Sequence, residues 1–399
     1  MITVEDAEER IFGEVHLLPK ENIPFEKATG RILRESITAD RNLPPFDRVM
    51  MDGVVLSSEG WNAGHRNFKV TDLQLPGSPP LSLADPLGCI KAMTGAPMPQ
   101  GCDIVVPREE IEENQGTINV KESFEVQPGR YLHRAGVDCV AGDELVPPGV
   151  QIGPSEIAVA TSCGYETLSV TQKIRVMVID TGDELIEVGM PIKPHQIRRS
   201  NAHALTSSCN RMPFVTSTSR HCSDNESAMN SILAEALKDN DLILLSGGVS
   251  KGDRDHVPAV LKNHGVEKHF HWVRQWPGKP LWFGKQPQGP LVFGLPGNPL
   301  SATTCFHRYV VTVLRAMAGA KPLPTQRVLL SEPTSHSAPT AAFVPVKLCS
   351  SEGGILQATP QRPRNSGDFV SVVGTDGFVQ LPPDQEDFPM GFEAVFFPW

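Results

Sequence analysis

The chain has 399 residues, and because domains commonly hold about 100–200 residues, this length predicts two to four domains. The formal net charge of −10 argues against a general affinity for nucleic acid or for an anionic membrane surface. No apolar run approaches the length of a membrane span, and the N-terminal residues lack the basic start and apolar stretch of a signal peptide. The eight cysteines include no CxxC pair, so they predict reduced, mostly buried thiols of a cytoplasmic protein.

The first part of the chain predicts two helical segments and then a β-rich module. Ala7, Ile11 and Val15 recur at helical spacing, and residues 25–37 form a second amphipathic piece. Within residues 43–140 the apolar runs are short and are separated by Gly, Pro and Asn, which indicates short strands joined by turns. Pro154 stands near the start of a further short helix.

From residue 173 the pattern alternates between strands and helices. Residues 174–180, 242–245 and 290–295 are apolar runs of the kind expected for strands buried on both faces of a parallel sheet. The expected N-terminal caps of the intervening and following helices are Ser200, either Asp224 or Asn225, and Asn298. Strands that alternate with helices predict a doubly wound α/β sheet. After residue 321 the short strands return, which predicts a small C-terminal β domain.

Three of these strands end in loops rich in glycine, serine and acidic residues. Ligands of open parallel sheets bind beyond the carboxyl ends of the strands, where glycine lets backbone N–H groups approach an anion. The expected anion-binding positions are Gly247, Gly248, Ser250, Gly297, Asn298 and Ser301. The acidic side chains expected beside them are Asp183, Glu184, Asp253 and Asp255. Since Mg²⁺ prefers oxygen ligands, the combination predicts a phosphate bound through Mg²⁺; the alternative is three independent turns that share a face.

Several long motifs of the chain resemble one protein family. In the α/β region, the segments TGDEL, SNAHAL, SGGVSKGDRD and GLPGNPLSATTCF resemble the molybdenum-cofactor biosynthesis domain. Towards the N-terminus, LPPFDRVMMDG, TGAPMPQGCDIVV and GVDCVAGDELVPPGVQIGPSEIAVATSCG narrow the resemblance further. The motifs cover almost the whole chain in the expected order. The sequence is therefore similar to the MoeA family of molybdopterin molybdenumtransferases, which is related to the E domain of gephyrin.

The resemblance implies a multidomain α/β fold with four structural units. Residues 1–42 together with 141–172 are expected to form an elongated connecting domain, and residues 43–140 a β-rich inserted domain. Residues 173–321 are expected to form the central doubly wound α/β molybdopterin-binding domain, and residues 322–399 a C-terminal β-barrel domain.

The resemblance also implies a transferase of molybdenum-cofactor biosynthesis. Such enzymes take adenylylated molybdopterin and molybdate, insert the metal into the dithiolene, and release AMP with the help of Mg²⁺. The resemblance implies a cytoplasmic homodimer with its site at the subunit interface. It also implies contact with the molybdopterin adenylyltransferase, and neither nucleic acid nor a membrane is expected as a partner. Two alternatives stay open. One is a molybdopterin adenylyltransferase, against which the β module and the barrel argue; the other is a divergent non-catalytic paralogue that acts as a binding or scaffold protein.

The family pattern gives roles to individual residues of this sequence. The positions that match catalytic residues are Asp52, Asp138, Glu184 and Asp255, and those that match metal ligands are Asp253, Asp255 and Glu184. The positions that match substrate-binding residues are Thr94, Asp183, Ser200, Asn201, Gly247, Gly248, Ser250, Lys279, Pro296, Gly297, Asn298, Pro299 and Ser301. Each has a structural alternative: the acids and Thr94 also suit Asx and ST turns, Asp224 suits a helix cap as well as a site acid, and lysines are usually solvated.

Among the departures from the family pattern, four bear on activity. Arg48 replaces a small polar residue, Trp276 replaces a basic residue just before PGKP, Pro345 replaces an arginine, and Arg199 replaces an acid or amide. The loss of cations is expected to weaken anion binding, because paired charges in a half-buried cleft interact more strongly than charges at the surface. Either the new arginines restore the positive charge from other directions, or the chain is a divergent paralogue with altered activity.

Overall fold

The computed structural model describes residues 1–248 and 257–399. The described chain divides into two compact units. The larger unit comprises Met1–Glu35, Pro148–Ile157 and Thr167–Trp399, and the smaller unit comprises Ser36–Pro147 and Ala158–Glu166. Each unit has its own hydrophobic core and is described by itself. The finer division into four domains stays a prediction.

The helices of the described residues are, in chain order, α1 (Val4–Phe12), α2 (Ser58–Asn62), α3 (Pro154–Ser162), α4 (Ser200–Asn210), α5 (Glu226–Asp239), α6 (Val257–Asn263), α7 (Pro299–Cys305) and α8 (Val311–Met317). Short 3₁₀ turns occur at Phe25–Lys27, Arg108–Glu110 and Val370–Val372, and a π-helical segment, Phe306–Val310, joins α7 to α8. None of these helices combines the length and the apolar character that crossing a membrane requires.

The strands are, in chain order, β1 (Lys20–Pro24), β2 (Ile37–Thr38), β3 (Arg48–Val49), β4 (Gly53–Leu56), β5 (Asn67–Gln74), β6 (Gly88–Ala92), β7 (Ile104–Pro107), β8 (Ile111–Asn114), β9 (Thr117–Val120), β10 (Leu132–His133), β11 (Glu144–Val146), β12 (Thr167–Thr171), β13 (Ile174–Thr181), β14 (Leu185–Ile186), β15 (Ile197–Arg198), β16 (Val215–Cys222), β17 (Leu242–Ser246), β18 (Glu267–His271), β19 (Gln275–Trp276), β20 (Trp282–Lys285), β21 (Leu291–Leu295), β22 (Gln326–Leu330), β23 (Thr334–Ser335), β24 (Ala341–Ser350), β25 (Leu356–Pro360), β26 (Gly377–Leu381), β27 (Asp387–Phe388) and β28 (Glu393–Pro398).

The smaller unit is built on a six-stranded sheet in the order β7-β4-β6-β5-β9-β8. Successive side chains of a strand point to opposite faces, so Val54 and Leu56 of β4 enter one hydrophobic core while Val55 enters another. A Cβ atom on Gly53 would lie 2.0 Å from the Val106 carbonyl oxygen, so the close pairing of β4 with β7 requires glycine here. The β-rich character predicted for this region is confirmed.

The larger unit contains the α/β sheet, whose strand order is β16-β13-β17-β21-β20-β18. The first four strands are parallel, and β20 and β18 join antiparallel at one side. In β17, Leu242 and Leu244 pack into the core on one face while Ile243 and Leu245 pack into the core on the other. The doubly wound prediction is confirmed. Because the chain moves from β13 to β16 on one side and then to β17 on the other, the topological switch point lies between β13 and β17.

The C-terminal part of the larger unit is a closed barrel of five strands. The pairings run β24–β25–β22–β28–β26 and return from β26 to β24. Closure leaves no free strand edge, and the interior is filled by a cluster that includes Val344, Val379 and Phe396. Short β19, which precedes the 277–280 segment, adds in parallel to β24 and so ties the α/β sheet to the barrel. The predicted C-terminal barrel is confirmed.

Two local expectations are wrong. Residues 25–37 form no second amphipathic helix: only the turn Phe25–Lys27 is helical, and the backbone of Leu33 bonds to Val150. Gly30 adopts a left-handed φ of +79°, which ends any helix at this point. Ser200 is not a cap but the first residue of α4, because the cap position is held by Arg199, whose side chain turns towards acidic partners.

Candidate functional site

In the larger unit, the ends of β13 and β17 meet at the switch point. Gly247 and Gly248 follow β17 with left-handed φ values of +92° and +65°. A Cβ atom would lie 3.0 Å from the Thr181 carbonyl oxygen at position 247 and 2.8 Å from Thr181 Oγ1 at position 248. Both the dihedral angles and the close approach therefore require glycine. Gly247 and Gly248 therefore pack directly against Thr181, the last residue of β13.

Asn201 connects Ser246, the last residue of β17, to the loop after β21. Its Nδ2 atom donates to Ser246 Oγ at 3.0 Å and to the Gly297 carbonyl oxygen at 2.8 Å. A side-chain amide has two N–H donors, so one residue at the start of α4 holds the ends of β17 and β21 together. The backbone of Gly247 reinforces the contact by donating to the Leu295 carbonyl oxygen. We call the group Thr181, Asn201, Gly247, Gly248, Gly297 and Asn298 the cradle.

The start of α7 completes the cradle. Asn298 is the N-cap and Pro299 is the first helical residue, as predicted, and the helical run then continues through the π segment and α8. Free N–H groups and the helix dipole favour an anion at such a start. Asn298 makes no capping hydrogen bond; instead its Nδ2 donates to Ser366 Oγ at 2.7 Å. Pro296 and Ser301 are buried, whereas Gly297, Asn298 and Ser200 are exposed.

The loop after β13 contacts the end of β16 and the loop that follows it. The Asp224 backbone N–H donates to Asp183 Oδ1 at 3.1 Å, and His221 Nε2 donates to the Gly182 carbonyl oxygen at 2.9 Å. Glu184 folds its carboxylate over Gly182, where a Cβ atom would lie 2.5 Å from Glu184 Oε2. The structure thus orients two exposed carboxylates, Asp183 and Glu184, beside the cradle. Asn225 caps α5 with its side chain, which leaves Asp224 the non-capping member of that pair.

Arg199, one of the four departures, is fully engaged by acidic partners. Its Nε atom donates to Asp180 Oδ2 at 2.9 Å and its Nη2 to Asp180 Oδ1 at 2.9 Å, and its Nη1 bonds Glu187. Asp180 is 1% exposed and Arg199 9% exposed. The hydrogen bonds to Asp180 hold the pKa of Arg199 above its ordinary value. Arg199 therefore supplies no free positive charge to the cradle, and the expectation that it replaces a lost cation is wrong.

Trp276 and Pro345, the other two of these four departures in the larger unit, are uncharged. Trp276 places its ring 5.6 Å from the His336 ring, centroid to centroid, and Pro345 is a buried residue of β24. Lys279 is exposed, with Nζ 5.6 Å from the centroid of the Trp272 ring. The positive charge expected on the PGKP turn is thus present, although its family neighbour is replaced by an aromatic ring.

Part of the predicted metal site lies outside the described residues. Ser250, Asp253 and Asp255 belong to the segment 249–256, so only Glu184 of the three proposed metal ligands has a described position. Within residues 1–248 and 257–399 the structure contains no group of three or more His, Cys, Asp or Glu side chains arranged to hold a metal. Hard oxygen donors suited to Mg²⁺ are present in Asp183 and Glu184.

The smaller unit brings Asp52 and Thr94 together. Asp52 Oδ1 accepts from the Thr94 backbone N–H at 2.7 Å and from Thr94 Oγ1 at 2.8 Å. These bonds join residues 42 positions apart, so neither residue merely closes a local turn. The bond from the Thr94 backbone, followed by the bond from its hydroxyl, lowers the pKa of Asp52. Asp52 is therefore an exposed, ionised carboxylate at neutral pH.

Asp138 forms a hydrogen bond with His133, a residue that the sequence did not single out. His133 Nε2 lies 3.0 Å from Asp138 Oδ1, and His133 Nδ1 lies 2.9 Å from Arg48 Nη2. A guanidinium can only donate, so in neutral His133 the Nδ1 atom accepts and Nε2 carries the proton that Asp138 accepts. Arg48 and His133 are register partners in β3 and β10. The departure at Arg48 thus serves to orient His133 against Asp138.

Comparisons with known proteins cover the chain from end to end. A family model of the MoeA N-terminal region, domains I and II, matches residues 2–164. A model described as a probable molybdopterin binding domain matches residues 177–316, and a model of the MoeA C-terminal region, domain IV, matches residues 327–399.

Individual relatives agree with these matches. A molybdopterin molybdenumtransferase of Synechocystis sp. is 35% identical over 400 residues, with 100% of each chain covered. One of Staphylococcus epidermidis is 30% identical over 396 residues, covering 98% of this chain and 94% of the relative. The crystal structure of a molybdopterin biosynthesis MoeA protein from Pyrococcus horikosii superposes with a TM-score of 0.83 at 28% identity, covering 100% of this chain and 99% of that one.

The structural role of the buried ion pair between Asp180 and Arg199 is directly testable. We expect Arg199→Met to lower the free energy of unfolding by about 3–5 kcal/mol, because it leaves the Asp180 carboxylate buried without a partner. The double variant Asp180→Leu with Arg199→Met should recover most of this loss. Urea unfolding, followed by fluorescence and circular dichroism, measures the change.

Arg220→Met is the matched control for this pair. Arg220 also contacts a carboxylate through two nitrogens, but its partner Glu235 is 48% exposed, so we expect a loss of at most about 1 kcal/mol. Equal effects of Arg199→Met and Arg220→Met would contradict a structural role for the buried pair.

Proposed function

Because the chain belongs to the MoeA family of molybdopterin molybdenumtransferases, enzymes of molybdenum-cofactor biosynthesis, we propose that it inserts molybdate into adenylylated molybdopterin and releases AMP in a Mg²⁺-dependent reaction. Adenylylated molybdopterin is an anion with a diphosphate, and molybdate is a second anion. The protein must therefore hold negative charge at a fixed place and assist the departure of a phosphate group.

The observation that carries the proposal is the Asn201 amide, which bonds Ser246 and Gly297. This cross-link holds the glycines after β17 and the start of α7 in one arrangement, so their backbone N–H groups are fixed before the ligand arrives. Preorganised dipoles of this kind stabilise an anion without the cost of reorganisation. We assign the diphosphate to this cradle, which includes Asn201, with Ser200 and Lys279 as further substrate contacts.

The acidic residues are assigned to the departing phosphate. Mg²⁺, when bound, neutralises charge that builds up on the leaving AMP. The Glu184 carboxylate lies over Gly182, and the Asp183 carboxylate accepts a hydrogen bond from the Asp224 backbone. Both carboxylates can therefore serve as oxygen ligands of Mg²⁺. We propose Asp253, Asp255 and Glu184 as the ligands of Mg²⁺, and Asp52, Asp138, Glu184 and Asp255 as catalytic residues, with Thr94 and Asp183 in substrate binding.

We further propose that the protein acts as a homodimer in which each site draws residues from both protomers. The resemblance to the family supports this proposal. It gives a role to Asp52, Thr94 and Asp138, which are exposed in the smaller unit although their hydrogen bonds orient them. The same resemblance supports a contact with the molybdopterin adenylyltransferase that makes the substrate.

We propose a cytoplasmic location because the cysteines are free thiols rather than disulfides. All eight cysteines are unpaired, and Cys349 is exposed. Burial raises the pKa of Cys89, Cys209 and Cys305 to about 12, so these thiols stay protonated and unreactive at neutral pH. Free thiols of this kind persist in the reducing cytoplasm.

Turnover of adenylylated molybdopterin tests the reaction. With Mg²⁺ and molybdate present, we expect stoichiometric AMP release and formation of active cofactor, and we expect EDTA to abolish AMP release. Glu184→Gln should lower kcat by about 100-fold or more, because a neutral amide is a weaker ligand than a carboxylate for the Mg²⁺ that neutralises the leaving phosphate. Glu226→Gln, which changes an exposed acid in the first turn of α5, is the control and should keep full activity. A folded protein that binds the nucleotide but releases no AMP would instead favour the non-catalytic paralogue.

Mixing of inactive variants tests the shared site. Asp52→Asn and Glu184→Gln are each expected to be inactive alone. If every site takes Asp52 from one protomer and Glu184 from the other, mixed dimers contain one site with both native residues. Activity should then return to about one quarter of the native value for random mixing of equal amounts. No recovery, despite mixed dimers demonstrated by mass spectrometry, would contradict the shared site.

A further inference from the structure

A buried glutamine lies against the segment that carries Lys279. Gln275 is 1% exposed and belongs to β19, directly before residues 277–280. Its Nε2 atom donates to the Gly278 carbonyl oxygen at 3.1 Å and lies 3.4 Å from the Pro277 carbonyl oxygen. One amide group therefore faces two consecutive carbonyls of the turn, away from water.

The orientation of this amide is fixed from its other side by Tyr309. The hydroxyl of Tyr309 donates to Gln275 Oε1, and since that oxygen carries no hydrogen, the amide nitrogen must face the turn. Tyr309 is 1% exposed and belongs to the π segment between α7 and α8. Cys305 Sγ lies 3.4 Å from Gln275 Nε2, and burial keeps this thiol neutral by raising its pKa to about 12. The polar atoms around Gln275 are thus satisfied within the protein.

The turn is pressed closely against this network. A Cβ atom on Gly278 would lie 2.4 Å from Cys305 Sγ and 2.7 Å from Gln275 Nε2, and the φ of Gly278 is +95°. On the other side of the turn, the Val273 backbone N–H donates to the Lys279 carbonyl oxygen at 2.9 Å. With Pro277 and Gly278 buried, Lys279 is left on the exposed side. The backbone of the lysine is therefore fixed while its side chain reaches solvent.

We propose that Gln275 is a positioning residue for substrate binding, which fixes the 277–280 turn so that Lys279 presents its ammonium group to the diphosphate of the nucleotide substrate. This inference rests on the proposed function, because that function assigns Lys279 to substrate binding. A lysine is a flexible point charge, and fixing its backbone reduces the entropy lost when it contacts a phosphate. The glutamine acts only through the turn and touches no reacting atom.

A double-mutant cycle between Gln275 and Lys279 tests the proposal. Gln275→Met, Lys279→Ala and the double variant are compared by calorimetric Kd for adenylylated molybdopterin and by kcat for AMP release. We expect each single change to raise Kd about tenfold, and the double variant to raise it no further than the larger single effect. For Gln275→Met at saturating substrate, kcat should stay within about twofold of the native value, because a positioning residue acts on binding.

Three further variants sharpen the comparison. Tyr309→Phe keeps the glutamine but frees its amide to rotate, so it should raise Kd by less than Gln275→Met does. Gln286→Met is the matched control, since Gln286 Nε2 also donates to a carbonyl, that of His264 at 3.0 Å, away from the turn; its Kd should be native. Gln275→Glu is measured beside Gln275→Met, so that a folding failure of one variant still leaves a decision.

The outcomes separate this inference from the proposed function. A native Kd in Gln275→Met and Gln275→Glu, with a raised Kd in Lys279→Ala, overturns the inference and leaves the proposed function intact. Additive effects in the double variant also overturn it, because they indicate a general structural role. A native Kd in Lys279→Ala overturns the inference and the assignment of Lys279 to substrate binding, but leaves the proposed reaction to be tested by AMP release. Absence of AMP release from the native protein refutes the proposed function alone, and the Kd values then still decide the inference.

Discussion

The site of the larger unit depends on one side-chain amide. Asn201 donates to Ser246 Oγ and to the Gly297 carbonyl oxygen, and these two acceptors follow different strands of the sheet. Each hydrogen bond stabilises the folded protein by only about 1 kcal/mol, so the amide matters less for stability than for geometry. It holds glycine loops that would otherwise lose much conformational entropy when they order around a ligand.

The charge of this region is largely balanced within the protein. Arg199 forms ion pairs with Asp180 and Glu187. Glu187 Oε1 also lies 3.1 Å from His203 Nε2. The backbone N–H of Val188, with Arg199 and His203, lowers the pKa of Glu187. The buried pair fixes the end of β13 against the start of α4, immediately beside Asn201. A residue that the sequence presents as extra positive charge is thus part of the scaffold.

Local patterns predicted the architecture because burial leaves a direct mark on sequence. The runs in β13, β17 and β21 are apolar on both faces, and the glycine loops follow them immediately, so both the sheet and the gathering of its loops could be predicted. The helix expected over residues 25–37 was wrong because apolar residues at helical spacing also occur in extended segments. Here the Leu33 backbone N–H donates to the Val150 carbonyl oxygen instead of to a helical partner. Roles that depend on distant partners left no such mark. Ser366 bonds Asn298 from 68 positions away, and His133 meets Arg48 from 85 positions away through strand register.

The most direct test of the account is the calorimetric Kd of adenylylated molybdopterin for Asn201→Leu, a change of similar shape that removes both N–H donors without adding charge. The control is Asn240→Leu, which removes an amide that donates to the Ala236 carbonyl oxygen at the end of α5. With folding verified by circular dichroism, the account predicts a Kd at least about tenfold higher for Asn201→Leu and a native Kd for the control. A native Kd in a folded Asn201→Leu protein would contradict the claim that this amide assembles the phosphate-binding loops.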